Sequence, residues 1–178
     1  DRAIELRPND YEAWTNRGNV LVNLGRDEEA IASFDQAIEL RSDYPVAWYN
    51  RGIVLVNLGR DEEAIASFDR AVELKSDYAG AWTKRGNVLV KLGRDEEAIA
   101  SFDRAVEFRI DDPDVWTNRG NLLMKLRRDE EAISSFDRAI KFIHDDPDIW
   151  TLRGNALVNV GRYDEAIESF DRAIEHQA

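Results

Sequence analysis

The chain repeats itself every 34 residues, and no other feature of its sequence constrains the fold as strongly. All five tryptophans share this spacing, and they are Trp14, Trp48, Trp82, Trp116 and Trp150. The ten residues 26–35 also recur unchanged as residues 60–69 and 94–103. A fixed period of this length is typical of arrays in which each unit buries its apolar surface against its neighbours. We therefore interpret the tryptophans as core residues of such an array.

Each unit is predicted to be a pair of helices joined by a tight turn. In the first unit, apolar residues fall at helical spacing over about 11–24 and again over about 27–40. Gly25 suits the left-handed conformation that ends a helix, and Asp27 is predicted to cap the next helix. In the fourth unit Arg127 replaces this glycine, so it must adopt a left-handed backbone or use a different turn.

Two small residues indicate where the helices of one unit meet. Gly18 and Ala30 recur in every unit, and a larger side chain at either position would hold the helices apart. Trp14 and Phe34 are expected to fill the space between successive hairpins. Together these residues resemble the tetratricopeptide repeat family over essentially the whole chain. Counted from Tyr11, the fourth, eighth, twentieth and twenty-fourth positions of the family motif are Trp14, Gly18, Ala30 and Phe34.

The resemblance implies an all-α fold, namely a right-handed α-solenoid (a superhelix) of stacked antiparallel helix hairpins. It divides the chain into five repeats, at residues 11–44, 45–78, 79–112, 113–146 and 147–178. Residues 1–10 match the second half of helix B of a preceding repeat. No polar capping helix follows the last repeat, although terminal repeats normally carry one. We therefore expect one solenoid domain that is a segment of a longer array, in a bacterial multi-repeat protein.

Composition and motifs argue against most other functions. With a net charge of -12, the chain is expected to repel nucleic acid and anionic membranes. Cysteine is absent, no signal peptide is recognisable, and no apolar run is long enough to span a bilayer. No zinc spacing, phosphate loop or dinucleotide motif occurs, and His144 and His176 lie near predicted helix ends. We predict no catalytic residue, cofactor or metal, no enzymatic activity, and a cytoplasmic location.

An arginine and an aspartate also recur in every unit. They are Arg17, Arg51, Arg85, Arg119 and Arg153, and Asp35, Asp69, Asp103, Asp137 and Asp171. The arginines could bind acidic ligands, or they could form charge-assisted pairs with the aspartates at a seam between helices. We favour the internal pair, with Arg17 and Asp35 as structural residues, because opposite charges that neutralise each other suit partial burial.

The resemblance further implies a binding surface, because in the family the first helices of the repeats line a concave groove that holds ligands. The family's ligand positions select Thr15, Asn16, Asn19, Asn23, Tyr49, Asn50, Asn57, Thr83, Lys84, Asn87, Lys91, Thr117, Asn118, Asn121, Lys125, Thr151, Asn155 and Asn159. Asparagine is unfavourable inside helices, so this series calls for an explanation. An amide donates and accepts hydrogen bonds at once, which suits the backbone of an extended peptide. The alternative is that the asparagines are merely solvated copies of one another.

The best-known binding mode of the family, a carboxylate clamp for acidic chaperone tails, is only half present. It requires lysines where this chain has Thr15 and Gly80, although Asn19, Asn50 and Lys84 match. We therefore expect no strong binding of such a tail.

The sequence as a whole predicts a protein–protein interaction scaffold that binds a peptide or protein segment along the groove. One alternative is an architectural spacer with no groove ligand, which self-associates end to end through its uncapped termini. Another is the regulatory arm of a larger multidomain enzyme. The residues do not identify the partner.

Overall fold

The computed structural model describes residues 9–176, which form ten α-helices and contain no strand. The predicted half-helix over residues 1–10 therefore lies almost entirely outside the described residues. Contacts divide the chain into two compact units, Asp1–Leu92 and Gly93–Ala178. Each unit is considered by itself below.

The described part of the first unit contains five helices, α1 Tyr11–Asn23, α2 Asp27–Leu40, α3 Pro45–Asn57, α4 Asp61–Leu74 and α5 Ala79–Lys91. The second also contains five, α6 Asp95–Phe108, α7 Pro113–Lys125, α8 Asp129–Ile140, α9 Pro147–Asn159 and α10 Tyr163–Glu175. Within each unit, every helix packs against the helix that precedes or follows it in the chain. The predicted all-α architecture of stacked helix hairpins is confirmed in both units.

A phenylalanine ring packed on a helical glycine forms the centre of the four hairpins that lie within one unit. Phe68 on α4 is completely buried, and a Cβ added to Gly52 on α3 would lie 2.6 Å from its Cε1 atom. The same close approach recurs between Gly18 and Phe34, Gly120 and Phe136, and Gly154 and Phe170. This confirms the prediction that a side chain at this glycine would hold the two helices apart.

The tryptophans join the core to the loops between hairpins. Trp48 and Trp82 pack around a buried cluster of Ala71, Val72 and Ala81 in the first unit. The indole N–H of each described inter-hairpin tryptophan also donates to a backbone carbonyl six residues earlier. The pairs are Trp48 with Ser42 at 3.0 Å, Trp82 with Ser76 at 2.9 Å, Trp116 with Ile110 at 2.8 Å and Trp150 with His144 at 2.8 Å.

The predicted cap at Asp27 is wrong. Arg26 is the N-cap residue of α2, Asp27 is the first helical residue, and no side chain caps this end. The counterparts Asp61 and Asp95 instead bind lysines of the following hairpin, so this aspartate position joins hairpins rather than capping its own helix. Elsewhere capping does occur, because Asp10 accepts hydrogen bonds from the first-turn backbone N–H groups of α1.

Arg127 adopts the left-handed backbone that its position in the turn requires. Its φ of 61° resembles the φ of 68–79° found at the glycines in the other turns, which are Gly25, Gly59, Gly93 and Gly161. The turn therefore keeps its geometry despite the substitution. Only the conformational free energy of the residue changes, because a Cβ is disfavoured in this region.

Arg127→Gly is expected to stabilise the protein by about 0.5–1 kcal/mol, because the strain of about 1–2 kcal/mol exceeds the entropy cost of glycine. The measurement is urea unfolding followed by far-ultraviolet circular dichroism. Gly59→Arg is the reciprocal control and should destabilise the protein by a similar amount. An unchanged or lower free energy of unfolding for Arg127→Gly would contradict this account.

Candidate functional site

The first helices of the hairpins carry the predicted ligand positions. In the first unit α1 lies beside α3 and α3 beside α5, while in the second unit α7 lies beside α9. We call the side chains at the predicted ligand positions of these helices the groove face. Each unit has its own groove face, and the two are described separately.

Two asparagines of the first unit are hydrogen-bonded to each other across adjacent hairpins. Asn50 Nδ2 on α3 donates to Asn19 Oδ1 on α1 at 2.9 Å. This bond leaves the amide hydrogens of Asn19 and the carbonyl oxygen of Asn50 for a ligand. Within residues 9–176, the side chains of five further predicted asparagines have no hydrogen-bond partner, namely Asn16, Asn23, Asn57, Asn121 and Asn155. The first helices of each unit therefore carry amides that can both donate and accept.

The predicted threonines use their hydroxyl groups inside their own helices. Thr15 donates to the Tyr11 carbonyl at 2.9 Å, and only 3% of its surface is exposed. The remaining threonines repeat this bond, with Thr83 to Ala79, Thr117 to Pro113 and Thr151 to Pro147 at 2.8–3.0 Å. These hydroxyls are therefore engaged by the backbone. Their position suits helix packing better than ligand recognition.

Three predicted ligand residues at the ends of the first helices connect adjacent hairpins. Lys91 Nζ lies 2.7 Å from Asp61 Oδ2, and Lys125 Nζ lies 2.9 Å from Asp95 Oδ2. Asn159 Nδ2 donates to Asp129 Oδ1 at 2.8 Å. Each bond joins a first helix to the second helix of the preceding hairpin. The lysines at these positions are consequently neutralised by the protein itself.

Lys84 on α5 differs from these lysines. Its side chain is exposed and has no carboxylate, hydrogen-bond or ring partner within the described part of the chain. Its counterparts on α1, α3 and α7 are Asn16, Asn50 and Asn118. Lys84 therefore adds a single uncompensated positive charge to a row of amides.

Two cavities open on the groove face of the first unit. The cavity between α1 and α3 has a volume of about 250 Å³ and is lined by Asn19, Val22, Asn23, Phe34, Asn50, Ile53 and Val54. The cavity between α3 and α5 has a volume of about 200 Å³ and is lined by Ile53, Val56, Asn57, Phe68, Lys84, Asn87, Val88 and Lys91. Both combine apolar walls with amide groups. This arrangement can hold an apolar side chain while hydrogen-bonding a backbone.

Sequence reasoning missed the apolar walls of these cavities. Val22, Val56 and Val88 do not occupy the predicted ligand positions, and Ile53, although it occupies one of them, was not selected as a ligand residue. A signal existed for Ile53, because it interrupts a position occupied by asparagine in the other four units. The valines gave no such signal, since they recur as ordinary apolar residues of an amphipathic helix.

A tyrosine pair borders the groove face in the first unit. The rings of Tyr49 and Tyr78 lie 4.8 Å apart, and Tyr49 also contacts Phe68 at 6.0 Å between ring centroids. Tyr49 thus takes part in packing rather than standing free in the groove. Burial raises the pKa of Tyr78 to about 12, with a smaller contribution from the neighbouring Tyr49.

The recurring arginines form a seam between successive hairpins. Arg51 Nε donates to Asp35 Oδ1 of the preceding hairpin at 2.7 Å, and its Nη1 donates to Ser67 Oγ at 2.8 Å. The aspartate bond recurs from Arg85 to Asp69, Arg119 to Asp103 and Arg153 to Asp137 at 2.5–2.7 Å. The serine bond recurs from Arg17 to Ser33, Arg119 to Ser135 and Arg153 to Ser169 at 2.5–2.7 Å.

The serines complete this seam and were not identified from the sequence. Ser67 is buried, accepts from Arg51 and donates its hydroxyl to the Glu63 carbonyl at 2.9 Å. A hydroxyl that accepts and donates at once is fully used. The arginine series is therefore engaged inside the protein.

The described residues show no metal site, no membrane-spanning helix and one notable surface ion pair. No group of three or more histidine, cysteine, aspartate or glutamate side chains among residues 9–176 could hold a metal ion. Within the same residues, no helix has the length and apolar character needed to cross a membrane. A hydrogen bond from Arg60 lowers the pKa of Glu63 on the surface, away from the groove face.

Models of one repeat family match nearly the whole chain. A model described as TPR repeat matches residues 18–59, and models described as Tetratricopeptide repeat match residues 1–32, 49–113, 83–148 and 147–177. No curated protein matches the sequence.

Many solved structures share the fold. YrrB, a TPR protein with an unusual peptide-binding site, is similar at 28% identity and a TM-score of 0.85, with 99% of this chain and 91% of that chain covered. A MamA structure is similar at 19% identity and a TM-score of 0.87, with 94% of this chain and 91% of that chain covered. The pilF protein of Pseudomonas aeruginosa is similar at 18% identity and a TM-score of 0.77, with 96% of this chain and 78% of that chain covered. These likenesses confirm the tetratricopeptide-type fold.

Asp103→Ala is expected to lower the free energy of unfolding by about 1–3 kcal/mol. The Arg119 side chain is only 16% exposed, and the substitution removes its charged hydrogen-bond partner and leaves Ser135. Glu107→Ala is the matched control, because it removes the carboxylate of an exposed pair with Arg104 on the same helix. It should cost at most about 0.5 kcal/mol. Equal costs in urea unfolding would refute a structural role for the seam.

The raised pKa of Tyr78 predicts a loss of stability in alkali. An unfolded phenol has a pKa of about 10, so the fold favours the neutral form. This contribution is complete below pH about 10 and is lost as the pH rises towards about 12. Tyr78→Phe should therefore show a shallower fall in unfolding free energy over this range than the wild type. Tyr163→Phe, which removes an exposed phenol, is the matched control, and identical slopes in all three proteins would contradict the assignment.

Proposed function

Because this chain belongs to the tetratricopeptide repeat family, we propose that it is a scaffold that binds an extended peptide or protein segment on its groove face. The observation that carries this proposal is the pair of cavities in the first unit, whose walls combine amides with apolar side chains. The likeness to YrrB, a TPR protein with a peptide-binding site, supports it.

The amides would hold the backbone of the ligand. An extended peptide presents N–H and C=O groups in alternation, and an asparagine side chain can pair with either group. Asn19 and Asn50 are already oriented by their mutual bond, so fewer rotamers are lost when a ligand binds. Asn57 lines the neighbouring cavity between α3 and α5 and would bind the ligand backbone there. Recognition of this kind depends little on the side chains of the ligand.

The predicted ligand residues thus fall into two groups, those that contact the ligand and those that support the helices. In this proposal the amides and Lys84 contact the ligand. The threonines, the tyrosine and the paired lysines support the helices that carry those contacts. In the second unit, considered by itself, Asn121 and Asn155 would supply the same chemistry on α7 and α9.

A binding role agrees with the chemistry of the groove face better than catalysis does. Its described residues supply amides, threonine hydroxyls that bond to their own helices, one tyrosine and three ammonium groups, two of which pair with aspartates. Catalysis by a side chain requires a nucleophile or an acid–base group held by a second polar group. The asparagine row supplies neither.

End-to-end self-association is a second candidate, favoured by an exposed apolar surface on α10. Ile167 is 58% exposed there, whereas its counterpart Ile133 on α8 is 3% exposed. Sedimentation velocity of the wild type and Ile167→Glu over a range of concentrations tests this candidate. A concentration-dependent assembly that the substitution abolishes would support it, and a monomer at all concentrations would exclude it.

The peptide-binding proposal is tested by selecting random displayed peptides on the wild-type protein and measuring the affinity of the best synthetic peptide by fluorescence anisotropy. Asn50→Ala with Asn57→Ala should weaken binding about tenfold or more, since each lost hydrogen bond contributes about 0.5–1.5 kcal/mol. Gln36→Ala removes an amide from α2, away from the groove face, and should leave affinity unchanged.

Circular dichroism establishes that the variants keep their helices. If no peptide is enriched, or if the double variant binds as well as Gln36→Ala, the proposal fails.

A further inference from the structure

The end of α8 departs from a pattern that the other second helices of the hairpins share. Near the end of α2, α4, α6 and α10, a long polar side chain bonds to a glutamate three residues later. These pairs are Gln36–Glu39, Arg70–Glu73, Arg104–Glu107 and Arg172–Glu175. On α8 the arginine is kept as Arg138, but Lys141 replaces the glutamate. The substitution turns a negative position into a positive one and removes the partner of the arginine.

Both cations at the end of α8 lack a counter-charge. Arg138 and Lys141 are exposed, and neither side chain has an ion pair or a hydrogen bond within the described part of the chain. The carboxylate of Asp137 is bound by Arg153, and that of Asp146 accepts a backbone N–H at the start of α9. Residues three apart on a helix have Cβ atoms about 5–6 Å apart, so the two like charges repel each other.

An exposed phenylalanine follows these cations. Phe142 is 41% exposed, and Phe108, which occupies the equivalent position after the same turn of α6, is 39% exposed. The guanidinium of Arg104, held by Glu107, lies over the Phe108 ring at 4.9 Å from its centroid. Among the described residues no cation lies over the ring of Phe142. The exposed part of this ring is therefore not covered by the arginine of its own helix.

We propose that Arg138, Lys141 and Phe142, here called the α8 patch, bind an acidic segment of a partner protein. The segment places two carboxylates on the cations and an apolar side chain on the ring. The α8 patch lies on a second helix, whereas the predicted ligand positions lie on the first helices. It is thus a second interaction surface, and the inference does not depend on peptide binding by the groove face.

Charge complementarity selects this partner. A carboxylate on Arg138 would supply the bond that a glutamate supplies on the other second helices, and a second carboxylate on Lys141 would relieve the repulsion between the cations. An extended peptide places alternate side chains about 6.6 Å apart on one side, which is close to the spacing of the two cations. An apolar side chain beside the carboxylates would remove part of Phe142 from water.

An anionic membrane is the alternative occupant, and it fits the α8 patch less well. Clusters that bind anionic lipids generally contain about four to eight basic residues. The α8 patch has two, and the equivalent positions of α6 and α10 carry Glu107 and Glu175. The net charge of -12 opposes the approach of a large anionic surface, whereas a short segment meets chiefly the charges next to it.

The test selects random displayed peptides in parallel on the wild type and on Lys141→Glu. This substitution restores the glutamate of the other second helices, so it is compatible with the fold and gives Arg138 an internal partner. Phe142→Ala removes the ring. Lys75→Glu makes the same change of charge at an exposed lysine that follows α4 and is the matched control. Circular dichroism establishes that each variant keeps its helices.

The wild type and Lys75→Glu should enrich peptides in which acidic residues lie beside an apolar residue, and Lys141→Glu should not. In fluorescence anisotropy, Lys141→Glu should bind the best of these peptides about tenfold more weakly, and the affinity of the wild type should fall as salt is added. Phe142→Ala should bind it about threefold more weakly. Asn50→Ala with Asn57→Ala should bind it as the wild type does.

The proposal fails if no acidic peptide is enriched, or if Lys141→Glu enriches and binds the same peptides as the wild type. Loss of binding in Asn50→Ala with Asn57→Ala would assign the peptides to the groove face and would also overturn it. Sedimentation with vesicles that contain phosphatidylserine tests the alternative. Binding of the wild type to these vesicles, abolished by Lys141→Glu, would identify a lipid surface as the occupant and refute the proposed partner.

Discussion

The arginine bridge between hairpins is the interaction on which the rest of the structure depends. One guanidinium of Arg51 donates to Asp35 of the preceding hairpin and to Ser67 of its own. Because the donors of a guanidinium lie in a fixed plane, both bonds can be made only at one offset between the hairpins. A slip along the helix axis would leave a largely buried charge without its partner, which is costly. The same bridge at Arg153 sets the same offset in the second unit.

This fixed offset explains why the groove face is regular within each unit. It brings Asn50 of one hairpin against Asn19 of the hairpin before it, and Lys91 against Asp61. Residues that reach the neighbouring hairpin are used for cohesion, and those that point between the first helices remain for a ligand. The division between structural and binding residues is thus decided by stacking, although all of them occupy similar positions in the repeat.

The period of the sequence was enough to predict the hairpins and the close packing of Gly52 on Phe68, because each depends on residues within one unit. For Arg127 it left two alternatives, a left-handed backbone or a different turn, and the structure has the first. Features that depend on contacts between two hairpins were harder to predict from the sequence. The cap at Asp27 was wrong because the same carboxylate position serves the next hairpin. Ser67 was not predicted as part of the seam, because a serine within a helix does not indicate in the sequence which side chain it will bind. The cavities require the spacing between two first helices, which no single unit encodes.

Charge also bears on the groove face, because the chain carries a net charge of -12. Glu28 and Glu130 lie on the second helices, are mostly exposed, and each pairs with an arginine of the following hairpin. The field of such groups is screened over about 8 Å at physiological ionic strength. A ligand on the first helices of a unit would therefore meet chiefly the amides and apolar side chains around it rather than the net charge of the chain.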